Sequence, residues 1–203
     1  MKNPQAILGA VLVGLCLASL AASASGEPDG VLILVPQENF EDGDFFPVIS
    51  ALRASGVSVA YASPEGGRAQ TTNGEYVDVD LTFDQVIATQ FEAIMVTGGF
   101  GAFALQRDPL VLEILSAAAD AGLIIAGVCA GSDVVIQLGF AEGRSVACTP
   151  ERADFPPRYG AVATNEIVWV SRPPGDTYTL ITSLGLAHAV EEFARILAGM
   201  LGD

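Results

Sequence analysis

The chain has 203 residues, 51% hydrophobic and 16% charged, a balance that suits one domain with a sizeable core and excludes a disordered chain. Twenty-four acidic residues stand against nine Lys and Arg, for a net charge of −15. No basic cluster occurs, which argues against nucleic acid and anionic membrane surfaces as partners.

The first segment is read apart from the fold. Lys2 precedes the apolar run "AILGAVLVGLCLASLAAS", and Ala22, Ser23 and Ala24 fit the small-residue rule for cleavage. Residues 1–24 are therefore expected to be an export signal, leaving 25–203 as a single domain in the periplasm or outside the cell, without stable membrane association. An uncleaved anchor is the alternative, because the run is close to the shortest that spans a bilayer. Cys16 leaves with the signal, so the mature chain keeps Cys129 and Cys148 in an oxidising compartment. A bridge between them stays open, since it depends on a Cα separation that spacing does not reveal.

Next come short β-rich runs: "GVLILVP" (30–36), "GVSVAYASP" (56–64), "YVDVDLTF" (76–83), "EAIMVTGG" (92–99), "GLIIAGVC" (122–129), "SVACTP" (145–150), "EIVWVSRP" (166–173) and "TYTLITS" (177–183). "VLILV", "AIMV" and "LIIAGV" are continuously apolar, as strands covered on both faces of a parallel sheet must be. Between them, residues 44–55 place Phe45, Val48, Ile49 and Leu52 on one helical stripe that Gly56 stops. Asp42 is expected to cap that helix. Asp108 and Pro109 open a second helix that closes at Gly122, and "LAHAVEEFARILAGML" is an amphipathic closing helix. Strands alternating with helices predict an α/β three-layer sandwich with a mostly parallel, flavodoxin-like sheet.

In such a sheet functional groups gather at the carboxyl ends of the strands. Three loops fall there: "ENFEDGD" after the first strand, "TGGFG" after the fourth, and Cys129 after the fifth. Gly127-Val128-Cys129-Ala130-Gly131 is the cysteine version of a nucleophile elbow, a sharp strand-to-helix turn whose glycines relieve crowding. The following helix N-terminus is expected to favour the thiolate, the nucleophilic form. The Gly-Gly loop and the elbow can supply backbone N–H groups, from Gly99 and Ala130, to an oxyanion hole. Among the acidic residues Glu38, Glu41, Asp42 and Asp44, a carboxylate held against the sulfur would have a raised pKa and could pass a proton.

Taken together, "FEDGDFF...LRASG", "VTGGFGA" and "AGVCAGSDVV" resemble the ThiJ/PfpI superfamily, within the broader class I glutamine amidotransferase-like fold, from about Val31 to the final helix. The resemblance implies that Cys129 is the nucleophile, that Asp44 is the acidic residue hydrogen-bonded to it, with Glu41 nearby, and that the Gly-Gly loop helps form the anion hole. Many members carry Glu where this chain has the shorter Asp44; isonitrile hydratase-like members also use Asp. The peptidase-like members have His directly after the nucleophile, but here it is Ala130, and Thr149 stands where deglycase-like members often have His before a proline. A peptidase is thereby disfavoured. His188, the chain's one histidine, follows a "TS-x-G" segment that in the family approaches the cysteine pocket, often across a dimer interface, and is a candidate substrate-side residue with Thr149 and Glu41.

The reading that follows is a cysteine-dependent enzyme acting on a small-molecule electrophile, by glyoxalase/deglycase-type or isonitrile hydratase-like chemistry, with no cofactor and, by resemblance, as a homodimer. One His and two separated Cys make no metal site. Two alternatives stand beside it: a non-enzymatic redox sensor or chaperone-like dimer working through Cys129 oxidation, and a cysteine α/β-hydrolase resembling dienelactone hydrolases, whose triad would draw on Asp176 and His188.

Overall fold

The computed structural model describes residues 29–202; the export signal read at 1–24 lies outside them. In chain order the strands are β1 (Val31–Leu34), β2 (Glu38–Phe40), β3 (Val59–Ser63), β4 (Arg68–Thr71), β5 (Tyr76–Asp78), β6 (Leu81–Thr82), β7 (Ala93–Val96), β8 (Ile124–Val128), β9 (Ser145–Val146), β10 (Val162–Ala163), β11 (Val168–Ser171) and β12 (Thr179–Ser183). The helices are α1 (Asp42–Ala54), α2 (Ala102–Leu105), α3 (Pro109–Asp120), α4 (Ala130–Gln137) and α5 (Ala187–Leu201).

Seven strands form one sheet in the order β11-β12-β8-β7-β1-β3-β6. Every neighbouring pair is parallel except β11 with β12. The period of two along β1 sorts its apolar residues to opposite faces. Leu32 and Leu34 join Ile94, Val96, Val111, Leu115, Val134 and Val135 beneath α3 and α4. Val31 and Ile33 join Met95, Val128, Phe45, Leu52, Phe193 and Leu197 beneath α1 and α5. Two apolar layers thus clamp the sheet, which is why its central strands tolerate no polar face.

Three short strands form a separate small sheet, ordered β2-β4-β5, that sequence pattern did not single out. "YVDVDLTF" splits into β5 of that small sheet and β6 at the edge of the large one. Helix α3 begins as its sequence implies, with the Asp108 carboxylate accepting the Leu110 N–H at 3.0 Å.

Helix α1 departs from expectation at its start. It opens at Asp42, two residues before the expected onset, and Glu41 occupies the N-cap position without a side-chain capping bond. The Asp42 carboxylate instead accepts the Asn73 N–H at 3.2 Å, across the turn between β4 and β5. The early start matters because it puts Asp44 inside the first turn, on the face shared with Phe45 and Val48, rather than at a solvated helix end.

Candidate active site at the carboxyl edge of the sheet

Parallel register brings the ends of β7, β8 and β12 level: Val96 pairs with Gly127, and Ser183 with Val128. Cys129 is the next residue after β8 and precedes α4, with φ 54° and ψ −124°. This is a strained conformation for a residue with a Cβ, and it persists because its surroundings hold it. The Cys129 N–H donates to the Ser183 carbonyl at 2.9 Å. The Ser132 hydroxyl lies 2.7 Å from the Gly127 carbonyl and accepts the Ser183 N–H at 3.1 Å. A Cβ at Gly127 would meet Ser132 backbone atoms at 2.8 Å, and one at Gly131 would overlap the Val96 carbonyl. Both elbow glycines are therefore required by close backbone approach.

Asp44 is 2% exposed and faces the sulfur from α1. Its Oδ2 has no hydrogen-bond partner among the described residues. Burial, and to a lesser degree the charge of Glu41, raise its pKa to about 6, while the neighbouring Cys129 side chain works the other way. Two glycines make this proximity possible. A Cβ at Gly98 would overlap Asp44 Oδ2 and lie 2.8 Å from Cys129 Cβ; one at Gly185 would lie 2.5 Å from Cys129 Sγ. Gly185 is the glycine of the "TS-x-G" segment.

The thiol itself does not behave as the elbow alone suggests. Burial first, and then the charge of Asp44, push Cys129 up to about 11, against the opposing pull of the Ala130 and Gly99 N–H groups. The expected preference for thiolate is thus corrected: burial, with a carboxylate beside the sulfur, outweighs the helix N-terminus. Between about pH 6 and 11 the pair holds one proton, on the sulfur, with Asp44 poised to receive it.

On the other side of Cys129 lies a cavity of about 240 Å³ lined by Cys129, Ala130, Asp133, Cys148, Thr149, Arg152 and Phe103, among others. Thr149 therefore reaches the site. Glu41 does not line the cavity and acts through its charge on Asp44. His188 is exposed on the first turn of α5 and does not line it either. The hydrolase arrangement is not assembled: Asp176 pairs with the buried Arg144 at 2.7 Å, away from the cavity lining. Cys129 and Cys148 are both free thiols on the same cavity, without a bridge. Sequence reasoning missed Arg152 and Asp133, whose 2.8 Å ion pair forms part of the wall. Only their pairing in space marks them, because Asp133 follows the elbow on α4 and Arg152 lies beyond β9.

The sheet order and the cysteine turn at its carboxyl edge define an α/β protein of the mostly parallel, cysteine-elbow class. The sequence profile of the DJ-1/PfpI family matches residues 29–198, and the chain belongs to that family. It is 31% identical to a deglycase of Pyrococcus horikoshii over 154 residues, 73% of this chain and 92% of that one. With the glutathione-independent glyoxalase DJR-1.2 of Caenorhabditis elegans it shares 28% over 117 residues, 58% of this chain and 62% of that one. The crystal structure of a ThiJ/PfpI domain protein from Brachyspira murdochii superposes with a TM-score of 0.77 at 24% identity, covering 87% of this chain and 98% of that chain. Deglycase and glyoxalase relatives make an enzyme the plausible kind of protein here.

Proposed function

We propose that this chain is a cysteine-dependent enzyme of small reactive carbonyls, of the glyoxalase or deglycase type, with Cys129 as nucleophile and Asp44 as proton carrier. The observation that carries the reading is the Cys129–Asp44 pair, sharing one proton at the wall of a small cavity. As Cys129 Sγ attacks an aldehyde carbon, its proton passes to the Asp44 carboxylate, the C–S bond forms, and the carbonyl π electrons move onto oxygen. The Gly99 and Ala130 N–H groups stand on the sulfur side to hold that oxyanion, and the proton on Asp44 then neutralises it. With an α-oxoaldehyde, transfer of the former aldehyde proton to the adjacent carbon gives a thioester that water hydrolyses to a 2-hydroxy acid, returning the thiol.

Export rests on the N-terminal pattern of Lys2, the apolar run and Ala22-Ser23-Ala24, and dimerisation on the family resemblance. The decisive experiment measures 2-hydroxy acid formation from methylglyoxal by the wild type and Cys129→Ser, with circular dichroism to confirm the fold. Loss of turnover by at least about a thousandfold is expected, as when a nucleophile is removed. Full activity in Cys129→Ser overturns the reading. Turnover of an isonitrile but no α-oxoaldehyde would replace the substrate and retain the nucleophile. Oxidation of Cys129 by mild peroxide with no turnover of either would move the chain to the redox-sensor alternative.

A further inference from the structure

The cavity beside Cys129 contains one feature that attack on a neutral aldehyde does not use. Among the described residues its charged lining residues are Asp133 and Arg152, in a chain with only nine Lys and Arg. Asp133 lies in the first turn of α4 and is buried; Arg152 has 47% of its side chain exposed. Among the described residues the guanidinium makes one hydrogen bond, from Nη2 to Asp133 Oδ2 at 2.8 Å, and stands 4.8 Å over the Phe155 ring. A guanidinium has five N–H donors in a planar fork. One is engaged by Asp133, and the ring beneath restricts the plane in which the others are presented.

That arrangement is a half-built carboxylate clamp. Asp133 holds one N–H of the guanidinium, the Phe155 ring packs beneath it, and uncommitted N–H groups remain for a second anion. The cavity, at about 240 Å³, falls below the roughly 300–1,000 Å³ of sites that take drug-sized ligands, so its occupant is small. A small molecule with one end on Cys129 has its other end within the same enclosure as Arg152.

We propose that Arg152, held by Asp133, is the substrate-anchoring residue of this site, and that the site selects small electrophiles carrying a carboxylate close to the reacting carbon. The proposal rests on Cys129 being the reacting group, as read above. It adds a specificity element that the elbow does not supply: an anion is recruited to the one cation of the cavity, against the negative field of the chain.

Iodoacetate and iodoacetamide test it, since they share a reacting carbon and differ in a carboxylate against an amide. In both, the sulfur of Cys129 forms a C–S bond as its proton passes to the Asp44 carboxylate, the C–I bond breaks, and iodide leaves with its electron pair. The readout is the ratio of the two alkylation rates at Cys129, followed by peptide mass mapping on the whole mature chain, with glutathione as the unanchored reference. The ratio is expected to exceed that of glutathione in the wild type and to fall about tenfold in Arg152→Gln, the scale of one charge-assisted contact. In Asp133→Asn, whose amide oxygen can still accept the Arg152 N–H while the competing negative charge is gone, it is expected to rise severalfold.

A ratio equal to that of glutathione, or one unmoved by Arg152→Gln, overturns the proposal. An equal fall in Asp133→Asn also overturns it, because a merely structural ion pair would be broken from either end. An iodoacetate preference that depends on Arg152 in a protein that turns over no carbonyl compound sustains the anchor and removes the carbonyl reading. The two failures are thereby told apart.

Discussion

The two sides of Cys129 are built in opposite ways. Toward Asp44 the packing is closed: Gly98 has no room for a Cβ, and the carboxyl is almost wholly out of solvent. Toward Arg152 the wall opens into a cavity with a partly exposed, charged rim. Both sides carry a carboxylate, and the difference in partner decides its role. Asp133 has a cation at 2.8 Å to offset its burial; Asp44 has a thiol and an orphaned Oδ2. A buried carboxylate without a cation takes up a proton nearer neutral pH than usual, whereas a paired one is committed to its cation. On the proposed reading, the closed side is where protons move and the open side is where a ligand is gripped.

Removing the carboxylate of the closed side should have the largest effect. Asp44→Asn is expected to lower kcat by about a hundredfold or more, the usual scale for a positioned acid-base group. It should also abolish the rise in rate through about pH 6 that is expected of the wild type as Asp44 loses its proton. The same substitution separates chemistry from stability. Because the folded Asp44 binds its proton more tightly than the unfolded chain does, its contribution to stability is fully present below about pH 3.8 and is lost as pH rises through about 6. Asn carries no such cost. The shift from 3.8 to about 6 makes Asp44→Asn more stable at neutral pH by up to about 3 kcal/mol, and the gain should vanish toward pH 4. Urea unfolding at the two pH values checks the sign, and a less stable Asp44→Asn at neutral pH would show that the carboxylate is paired after all.

A smaller effect is expected from crowding the seam between the two sides, where Gly185 borders both the Cys129–Asp44 pair and the cavity. Gly185→Ala sets a methyl group 2.5 Å from the sulfur, so the loop after β12 must retreat. Overpacking of this kind costs about 1–3 kcal/mol, and alkylation of Cys129 should slow by roughly tenfold, the equivalent of about 1.4 kcal/mol of that strain. Unchanged Cys129 alkylation in a folded Gly185→Ala protein would mean that this seam gives way without disturbing the sulfur.

The smallest effect belongs to the open side's neutral rim. Thr149→Val keeps the shape of a residue that lines the cavity without engaging the Cys129–Asp44 pair. Turnover should change by less than about threefold and stability by about 0.5 kcal/mol at most. A loss comparable to that of Asp44→Asn would place an essential hydroxyl on the side assigned to binding.

Sequence by itself determined the frame. Apolar runs buried on both faces mark a parallel sheet, and a cysteine between glycines after such a run marks the elbow, since periodicity and backbone crowding are local properties. Asp44 and Gly99 were legible for the same reason, lying in loops that a parallel sheet must bring to one edge. Of the small sheet, β5 was legible within "YVDVDLTF", but β2 and β4 were not, because they are three or four residues long and carry too little pattern of their own. His188 read as a candidate, yet stands exposed, since chain proximity to Gly185 does not set the direction of a side chain on α5. Only the tertiary structure decided the protonation of the site and its charge partners. The helix N-terminus at Cys129 favours thiolate, but desolvation and a facing carboxylate depend on what packs around the sulfur, and they prevail. In the same way Asp133 and Arg152 meet across the chain to form the cavity wall, an encounter set by packing and by nothing in their spacing.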